Sequence, residues 1–243
     1  MTTTGRLFGL DVARALAIGL VVLGHAHQEF QEFGMYGVEL FFALSGFLIG
    51  GILYRCVPEK GPWTFAALLN FWKRRWWRTL PAYYLFLVVA ILHHAPRGEL
   101  PEGGLAGLLP YLVFAPNLMS PNEVFFDVSW SLCVEEAFYL IFPLLLWGLL
   151  RCGVRKGAAF AIAIMFLIAL AATLREVAFQ SWPASQARVM TLPRLDAIAL
   201  GVMMAVWCGS GVRSRLSGWI GAVVGGGIVV SLLGAHLQIR PLD

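Results

Sequence analysis

The chain has 243 residues, of which 59% are hydrophobic and only 13% carry a charged side chain. A soluble domain of this size could not bury so much apolar surface, so the composition excludes a soluble globular protein and indicates membrane-spanning helices. The net charge of +4 does not indicate nucleic-acid binding, because the basic residues lie beside the ends of apolar segments, as in membrane proteins.

Seven apolar segments approach the roughly 20 residues that a helix needs to cross the hydrocarbon core. They cover residues 8–27, 36–54, 77–94, 130–150, 157–174, 190–207 and 217–236. A shorter segment at 105–118 contains Pro110 and Pro116, and we predict that it is re-entrant or lies on the membrane surface. The predicted fold class is all-α: one polytopic membrane domain over residues 1–243, with about seven spans.

Basic residues at alternate ends of these segments predict the orientation of the chain. One basic group lies between the second and third segments, and another, around Arg155, follows the fourth. Acidic residues such as Glu29 and Glu99 occupy the intervening loops. Because cytoplasmic loops carry the excess of Lys and Arg, we expect a cytoplasmic N-terminus, an outer C-terminus and an outer loop over residues 95–129.

The four cysteines, Cys56, Cys133, Cys152 and Cys208, do not have the spacing of a zinc site or a redox motif. Three of them lie at helix ends that the charge distribution places in the cytoplasm, where thiols stay reduced. The sequence therefore predicts neither a disulfide nor a metal site.

Ionisable residues lie on one face of the first apolar segment. Arg14 and His25 are separated by about three helical turns, or roughly 16 Å along the axis, and therefore share a face. Asp11 precedes Arg14 by one turn and can form an ion pair with it. Such groups are costly within a bilayer and suggest a functional cavity, although an ion pair beside a structural histidine would give the same pattern.

The second segment adds Glu39, which enters the membrane near the outer side that His25 approaches. A carboxylate beside an imidazole can orient the ring and raise its basicity, which suits a general base. A glutamate solvated by lipid headgroups is the alternative. Gly46 and Gly50 form a GxxxG pair, which is typical of close helix packing.

Three arginines lie around the start of the third segment: Arg74, Arg75 and Arg78. They fall within about one helical turn, and Arg74 and Arg78 share a face. Clustered guanidinium groups bind phosphate through charge-assisted hydrogen bonds, so a phosphorylated cytoplasmic donor could dock here. The alternative is an ordinary positive-inside signal beside an aromatic belt.

The fourth segment begins with two carboxylates inside an apolar stretch. Ser131, Glu135 and Tyr139 recur at helical spacing and line one face, while Glu136 lies on a neighbouring face. Adjacent carboxylates about one turn inside an apolar helix are costly, and we interpret them as functional.

Arg194 and Asp196 lie at the start of the sixth segment and place charge at the outer membrane edge. Alone they would form an interfacial ion pair, which is a weak indication of function. We include them as supporting residues.

Five segments carry a family resemblance when they are taken together. In chain order they are LDVARALAIGLVVLGH, GVELFFALSGFLIG, RRWWRTLPAYY, WSLCVEEAFYL and RLDAIALG, over roughly residues 8–205. This order resembles the family 3 membrane acyltransferases, a group of bacterial O-acetylases that modify surface glycans. Members commonly have a longer chain with more spans, so we expect a fragment, a truncated reading frame or a short variant.

The resemblance implies a multi-pass enzyme of the inner (cytoplasmic) membrane. Such an enzyme takes an acyl group from cytoplasmic acyl-CoA, usually acetyl-CoA, and passes it to an acceptor hydroxyl on the far side. Acyl-CoA is thus a donor substrate, and no permanently bound cofactor is implied. The implied partners are acyl-CoA, a carbohydrate or other hydroxyl acceptor and the lipid bilayer, with no nucleic acid. The acceptor, the acyl chain length and the oligomeric state stay open.

Site residues follow from the matching motifs. Arg14 and His25 match the family's Arg-x10-His element, and Glu39 stands where many members have Asp, which keeps the charge on a longer side chain. The basic element linked to the donor is matched by Arg74, Arg75 and Arg78, and the Ser-x3-Glu element by Ser131 and Glu135.

His25 is the expected catalytic residue. It would either deprotonate the acceptor hydroxyl or carry the acyl group covalently, and both routes stay open. Glu39 or Glu135 would orient the imidazole, and Arg14 would stabilise negative charge on the donor or the oxyanion. The supporting residues are Asp11, Ser131, Glu136, Tyr139, Arg194 and Asp196.

Two other functions share these features. A proton-coupled transporter also uses intramembrane His, Arg and Glu, but the sequence has no clear inverted repeat. A membrane scaffold would use the polar residues only to fix helix packing. Transfer or hydrolysis of acetyl-CoA would distinguish the enzyme from both.

Overall fold

The structure, a computed structural model, describes residues 8–59, 61, 63–104, 106–118, 121, 125–126 and 129–209. Within these ranges it contains α-helices and short 3₁₀ turns, and no strand. The helices are α1 (Phe8–Ala26), α2 (Gln31–Cys56), α3 (Phe65–His94), α4 (Leu109–Leu112), α5 (Ser129–Arg151), α6 (Lys156–Ser181), α7 (Ala184–Ala187) and α8 (Leu195–Gly209).

Six helices in the described part of the chain are long and apolar enough to cross a membrane: α1, α2, α3, α5, α6, and α8 together with the 3₁₀ turn Leu192–Arg194 that leads into it. The chain is therefore a multi-pass membrane protein, and the predicted all-α bundle is confirmed. The predicted segment at 217–236 lies outside the described residues.

Helix α3 begins much earlier than the sequence predicts, at Phe65 instead of residue 77. The hydroxyl of Thr64 caps the helix by accepting a hydrogen bond from the Ala67 backbone N–H at 3.3 Å. The basic residues that precede the predicted span therefore belong to the helix itself. Hydropathy misses this part of α3 because charged side chains lower the average, although Arg and Lys are good helix formers.

The short apolar segment before α5 forms only a 3₁₀ turn, Ala106–Leu108, and the single turn of α4. It is too short to cross a bilayer, as the sequence predicts. The hydroxyls of Tyr83 and Tyr84 on α3 donate to the carbonyl oxygens of Tyr111 and Leu112, at 2.7 and 2.8 Å. The segment is thus fixed against α3 through its backbone.

The chain divides into two compact units, which are described separately: Met1–Cys56 with Ala197–Asp243, and Val57–Asp196. In the first unit, α1 and α2 form a hairpin whose backbones touch. A Cβ on Gly24 would lie 2.6 Å from the Cα of Gly34, and a Cβ on Gly37 would lie 2.7 Å from the Ala17 carbonyl oxygen. Only glycine permits so close a crossing. The close van der Waals contact holds the two helices together in lipid, where the hydrophobic driving force between helices is weak.

A second set of glycines packs α2 against α8 in the same unit. A Cβ on Gly46 would collide with the carbonyl oxygen of Ile198, and a Cβ on Gly50 would lie 2.8 Å from the Cα of Val202. Gly201 on α8 has an equally close approach to the backbone of α2. The GxxxG pair is therefore a helix-packing surface, as its spacing predicts.

In the second unit, α3 and α5 pack antiparallel. The Phe65 and Trp147 ring centroids are 5.5 Å apart, and the Trp72 indole N–H donates to the carbonyl oxygen of Tyr139 at 2.9 Å. That carbonyl needs a partner because Pro143, one helical turn later within α5, has no N–H to donate. A side chain of α3 thus completes the backbone hydrogen bonding of α5.

A tight turn joins α5 to α6 in this unit. Gly153 has a φ of 81°, in the left-handed region that favours glycine. At the start of α6, the buried Lys156 ammonium donates to the Glu59 carboxylate at 2.7 Å. Helix α6 ends at Ser181, beyond the predicted end at 174, and so includes Arg175.

Candidate active site

An ion pair links α3 to α5. The Arg75 Nη2 atom lies 3.3 Å from the Oε2 atom of Glu135, and the guanidinium carbon lies 4.0 Å from the centroid of the Tyr139 ring. The side chains of Glu135 and Arg75 are only 7% and 20% exposed. At such burial an ion pair requires good geometry, and the cation–π contact adds a second attraction for the guanidinium. Glu135 and Tyr139, which share a face of α5, thus share a partner on α3.

Glu136 is a second buried carboxylate, only 6% exposed. Arg75, Trp76 and Thr79 on α3 are close enough to influence it electrostatically. No hydrogen bond of normal geometry reaches either of its oxygen atoms from the described residues. Glu136 therefore shares the guanidinium that already pairs with Glu135, and Trp76 and Thr79 are its other polar neighbours on α3. A buried carboxylate in this situation is costly, as is typical of groups that bind a ligand or carry a proton.

The three arginines do not form one cluster. Arg75 faces α5, whereas Arg74 and Arg78 are exposed on another face of α3. Since the exposed pair is spaced by one turn, the two guanidinium groups are neighbours and could hold a phosphate-bearing ligand. Across the described ranges, no three His, Cys, Asp or Glu side chains are grouped as a metal ion would need.

Ser131 precedes Glu135 by one turn on the same face of α5 and is partly buried. The Ser-x3-Glu spacing thus places both side chains on one stripe of the helix, as the sequence predicts.

In the first unit, His25 lies in the last turn of α1 and is exposed. Its Nδ1 atom lies 2.8 Å from the carbonyl oxygen of Val21, one turn earlier. Because a carbonyl oxygen can only accept, Nδ1 is the nitrogen that donates to it, and in the neutral ring the lone pair is on Nε2. The backbone of α1 thus holds Nδ1 and leaves Nε2 as the nitrogen that can accept a proton. The expected role of Glu39 or Glu135 in orienting the imidazole stays a prediction.

Arg14 and Asp11 form the ion pair that their spacing predicts. The Arg14 Nη1 atom lies 3.7 Å from the Asp11 Oδ1 atom, and the side chains are 41% and 39% exposed. This exposure leaves the guanidinium accessible to a ligand. Glu39, on α2 of the same unit, is partly buried.

The pair expected at the start of the sixth span has different partners. Asp196 forms its ion pair with Arg175 of α6 and not with Arg194, whose guanidinium carbon lies 5.9 Å from the centroid of the Trp130 ring. Arg175 is not among the residues predicted for the site, because the predicted span ends at the preceding residue. Residues 174–181 contain neither Gly nor Pro, and this signal could have extended the helix to include it.

Comparison with known proteins identifies a family and several relatives of this chain. Residues 7–237 match the family described as an acyltransferase domain. The chain is 30% identical over 212 residues to the O-acetyltransferase OatA of Staphylococcus aureus, covering 82% of this chain and 34% of that protein. It is 31% identical over 176 residues to the putative peptidoglycan O-acetyltransferase YrhL of Bacillus subtilis, covering 67% and 27%. It is 30% identical over 154 residues to the peptidoglycan O-acetyltransferase OatA of Listeria monocytogenes, covering 58% and 24%.

The chain spans about a third of the length of the first of these relatives. No solved structure matches it. The family match, in contrast, extends from the start of α1 to beyond α8 and includes every candidate residue described above. The chain therefore belongs to the family 3 acyltransferases.

Proposed function

We propose that this chain is an integral membrane O-acyltransferase, which moves an acetyl or other short acyl group from acyl-CoA to a hydroxyl group of a glycan. The proposal rests on the hydrogen bonding of His25, in a chain that belongs to an acyltransferase family. Its Nδ1 atom donates to the Val21 carbonyl oxygen, so the exposed ring presents Nε2 as a base. An imidazole base works well near neutral pH, where it can accept the proton of a hydroxyl group.

The reaction needs one proton acceptor and one site for developing negative charge. His25 Nε2 accepts the hydroxyl proton, the oxygen attacks the thioester carbonyl carbon, the carbon–sulfur bond breaks and coenzyme A leaves as the thiol after protonation. A covalent route uses the same lone pair, with Nε2 as the nucleophile. Arg14 lies on the same helix face, roughly 16 Å from His25, and its partly exposed guanidinium binds negative charge on the donor.

The donor binds through the exposed arginines. Coenzyme A carries several phosphate oxygens, and Arg74 and Arg78 present two neighbouring guanidinium groups that no described ion pair occupies. Arg75 has a different task in this proposal, because its guanidinium is held between Glu135 and Tyr139. It positions Glu135, and through Glu135 it fixes the face of α5 that carries Ser131.

The names of the relatives support a glycan as the acceptor class. Two of the matched proteins are called peptidoglycan O-acetyltransferases, and we extend the general class, a cell-envelope glycan, to this chain. Donor and acceptor then lie on opposite sides of the inner membrane, with the N-terminus in the cytoplasm. The transporter alternative loses support, because the family match concerns acyl transfer and not transport.

Direct measurement of transfer tests the proposal. The full chain in phospholipid nanodiscs would be incubated with acetyl-CoA labelled in the acetyl group and with a soluble oligosaccharide. We expect release of the coenzyme A thiol and a labelled saccharide ester, detected by mass spectrometry, and neither product with the His25→Gln variant. Folded protein that binds acetyl-CoA without releasing thiol would contradict the proposal.

A further inference from the structure

A cavity of about 590 Å³ lies in the second unit beyond the end of α3. Its polar lining comes from His94, Glu99 and Glu102, and its apolar lining includes Tyr111 and Phe125. The volume falls within the roughly 300–1,000 Å³ that is usual for small-molecule sites. The catalytic and donor-binding residues proposed above do not line it.

The walls of this cavity are held by specific backbone contacts. Gly103 and Gly104 have φ angles of 86° and 60°, which fold the chain between α3 and α4 back on itself. A Cβ on Gly107 would collide with the carbonyl oxygen of Glu102, so this loop packs tightly. The tyrosine hydrogen bonds that tie α4 to α3 fix the opposite wall. The cavity is therefore largely formed before any ligand arrives.

The side chains in the cavity are also oriented. His94 Nδ1 lies 2.8 Å from Glu99 Oε2, and the His94 ring packs edge-on against Phe125 with 5.4 Å between centroids. Glu102 is exposed. No Lys or Arg is among the described residues that line the cavity. Tyr111 and Phe125 are only 3% and 7% exposed and close the base of the cavity, so the ligand-facing groups are the carboxylates, which accept hydrogen bonds and give the cavity an acidic field.

This chemistry favours one class of ligand. Carboxylates accept hydrogen bonds from hydroxyl groups, and two carboxylates around one cavity suit a ligand that carries several hydroxyl groups. The same carboxylates repel a ligand that carries its own carboxylate or phosphate. We propose that the cavity binds an uncharged, hydroxyl-rich saccharide and captures the acceptor glycan before acyl transfer.

The position of the cavity along α3 supports this role. His94 is the last residue of α3, and Arg78 and Arg74 lie roughly 24 and 30 Å before it along an ideal helix axis. That separation approaches the thickness of the hydrocarbon core. The cavity and the donor arginines are therefore at opposite levels of one helix, as acceptor and donor sites on opposite membrane faces require. The acceptor role rests on the proposed function, whereas saccharide binding can be measured without any acyl transfer.

The test compares two sugars that differ by one carboxylate, cellobiose and cellobiouronic acid. Binding to the full chain in phospholipid nanodiscs would be followed by ligand-observed NMR titration. We expect cellobiose to bind more tightly than the acid. Glu99→Gln and Glu102→Gln should each weaken cellobiose binding about fivefold, because a charge-assisted hydrogen bond becomes a neutral one. The double variant should lose the preference against the acid.

Glu176→Gln is the matched control, since Glu176 is an exposed glutamate on α6 away from the cavity lining. It should leave both affinities unchanged. Equal binding of the two sugars to the unaltered chain, no binding of cellobiose, or an equal loss in the control would overturn the proposal. Acetyl-CoA binding and thiol release, measured on the same samples, report separately on the proposed enzymatic function.

Discussion

Arg75 on α3 and Glu135 on α5 form an ion pair with a separation of 3.3 Å, and Tyr139 covers the same guanidinium. Neighbouring Glu136 is equally buried and receives no hydrogen bond of normal geometry from the described residues. Glu135 and Glu136 are thus adjacent in α5 but differ in their hydrogen-bond and ion-pair partners. Glu135 is bound into the packing of two helices, whereas Glu136 occupies a buried position that packing alone does not explain.

This inequality predicts different effects of two isosteric substitutions. Glu135→Gln should destabilise the protein by about 3 kcal/mol, because it removes the carboxylate that is hydrogen-bonded to the largely buried Arg75 and leaves only Glu136, which forms no ion pair with it, to balance that charge. Glu136→Gln should change stability by less than about 1 kcal/mol or increase it, since a buried charge is removed. Thermal unfolding of both variants in one detergent provides the measurement. Similar losses for the two variants would show that Glu136 also stabilises the bundle.

The division of the arginines predicts a second contrast. Arg74→Gln and Arg78→Gln should each weaken acetyl-CoA binding about tenfold, because each removes a charge-assisted contact to phosphate, with little change in stability. Arg75→Gln should instead lower the unfolding temperature, since it breaks the pair with Glu135. Binding of radiolabelled acetyl-CoA and thermal unfolding together distinguish the two effects.

Lys73→Gln is the control for general electrostatics, because Lys73 is exposed beside Arg74 but shares no face with Arg78. If it weakens donor binding as much as Arg74→Gln does, the arginines act only through the positive charge of the region.

His25 should be indispensable for transfer and dispensable for folding. Loss of base catalysis costs about 10²–10⁴-fold in rate, so both His25→Ala and His25→Gln should lose transfer to that extent. Membrane abundance and acetyl-CoA binding should stay normal, since the side chain is exposed. His27→Gln, close by and equally exposed, should keep full activity. Near-normal transfer by His25→Gln would remove this histidine from the mechanism.

The charge distribution makes a prediction about topology. Single cysteines would replace Glu102 and Arg155 in a background where Ser replaces the exposed Cys56 and Cys152. A membrane-impermeant maleimide added to intact spheroplasts should label position 102 and not position 155, since positively charged loops stay in the cytoplasm. The reverse pattern would mean that the chain has the opposite orientation.

The glycine contacts predict which small residues are essential for packing. Gly46→Ala should destabilise the protein by about 1–3 kcal/mol, because the added Cβ would meet the backbone of α8. Gly19→Ala is the matched control, with nothing within 4 Å of its added Cβ, and it should be neutral or stabilise α1 by up to about 1 kcal/mol. Unfolding temperatures in detergent would show whether the difference exists.

The periodicity of the sequence was sufficient to predict features that arise within a single helix. The six described spans, the pair between Asp11 and Arg14 and the shared face of Glu135 and Tyr139 all follow from hydropathy or from the 3.6-residue repeat. Helix boundaries were less predictable. The start of α3 was missed because a basic, aromatic helical turn has the same composition as a membrane-flanking loop.

Contacts between helices could not be read from the sequence. Spacing places Arg74 and Arg78 on one face and Arg75 within one turn of Arg78, but it does not reveal which of the three meets another helix. The pairing of Asp196 with Arg175 joins residues far apart in the chain, and only packing selects it over the nearer Arg194. The hydrogen-bond partner of His25 could not be predicted either, because a carboxylate on another helix can bind Nδ1 as well as the Val21 carbonyl can.

The hydrogen bond from Trp72 to the Tyr139 carbonyl has a consequence for how this membrane unit can evolve. Pro143 exposes one backbone acceptor of α5, and the indole of α3 is aligned on that atom. The longitudinal alignment of the two helices is therefore specified by main-chain geometry, one turn away from the ionisable groups. Side chains such as Ser131 or Glu136 can be exchanged to suit another donor or acceptor, while the scaffold that aligns them remains in register.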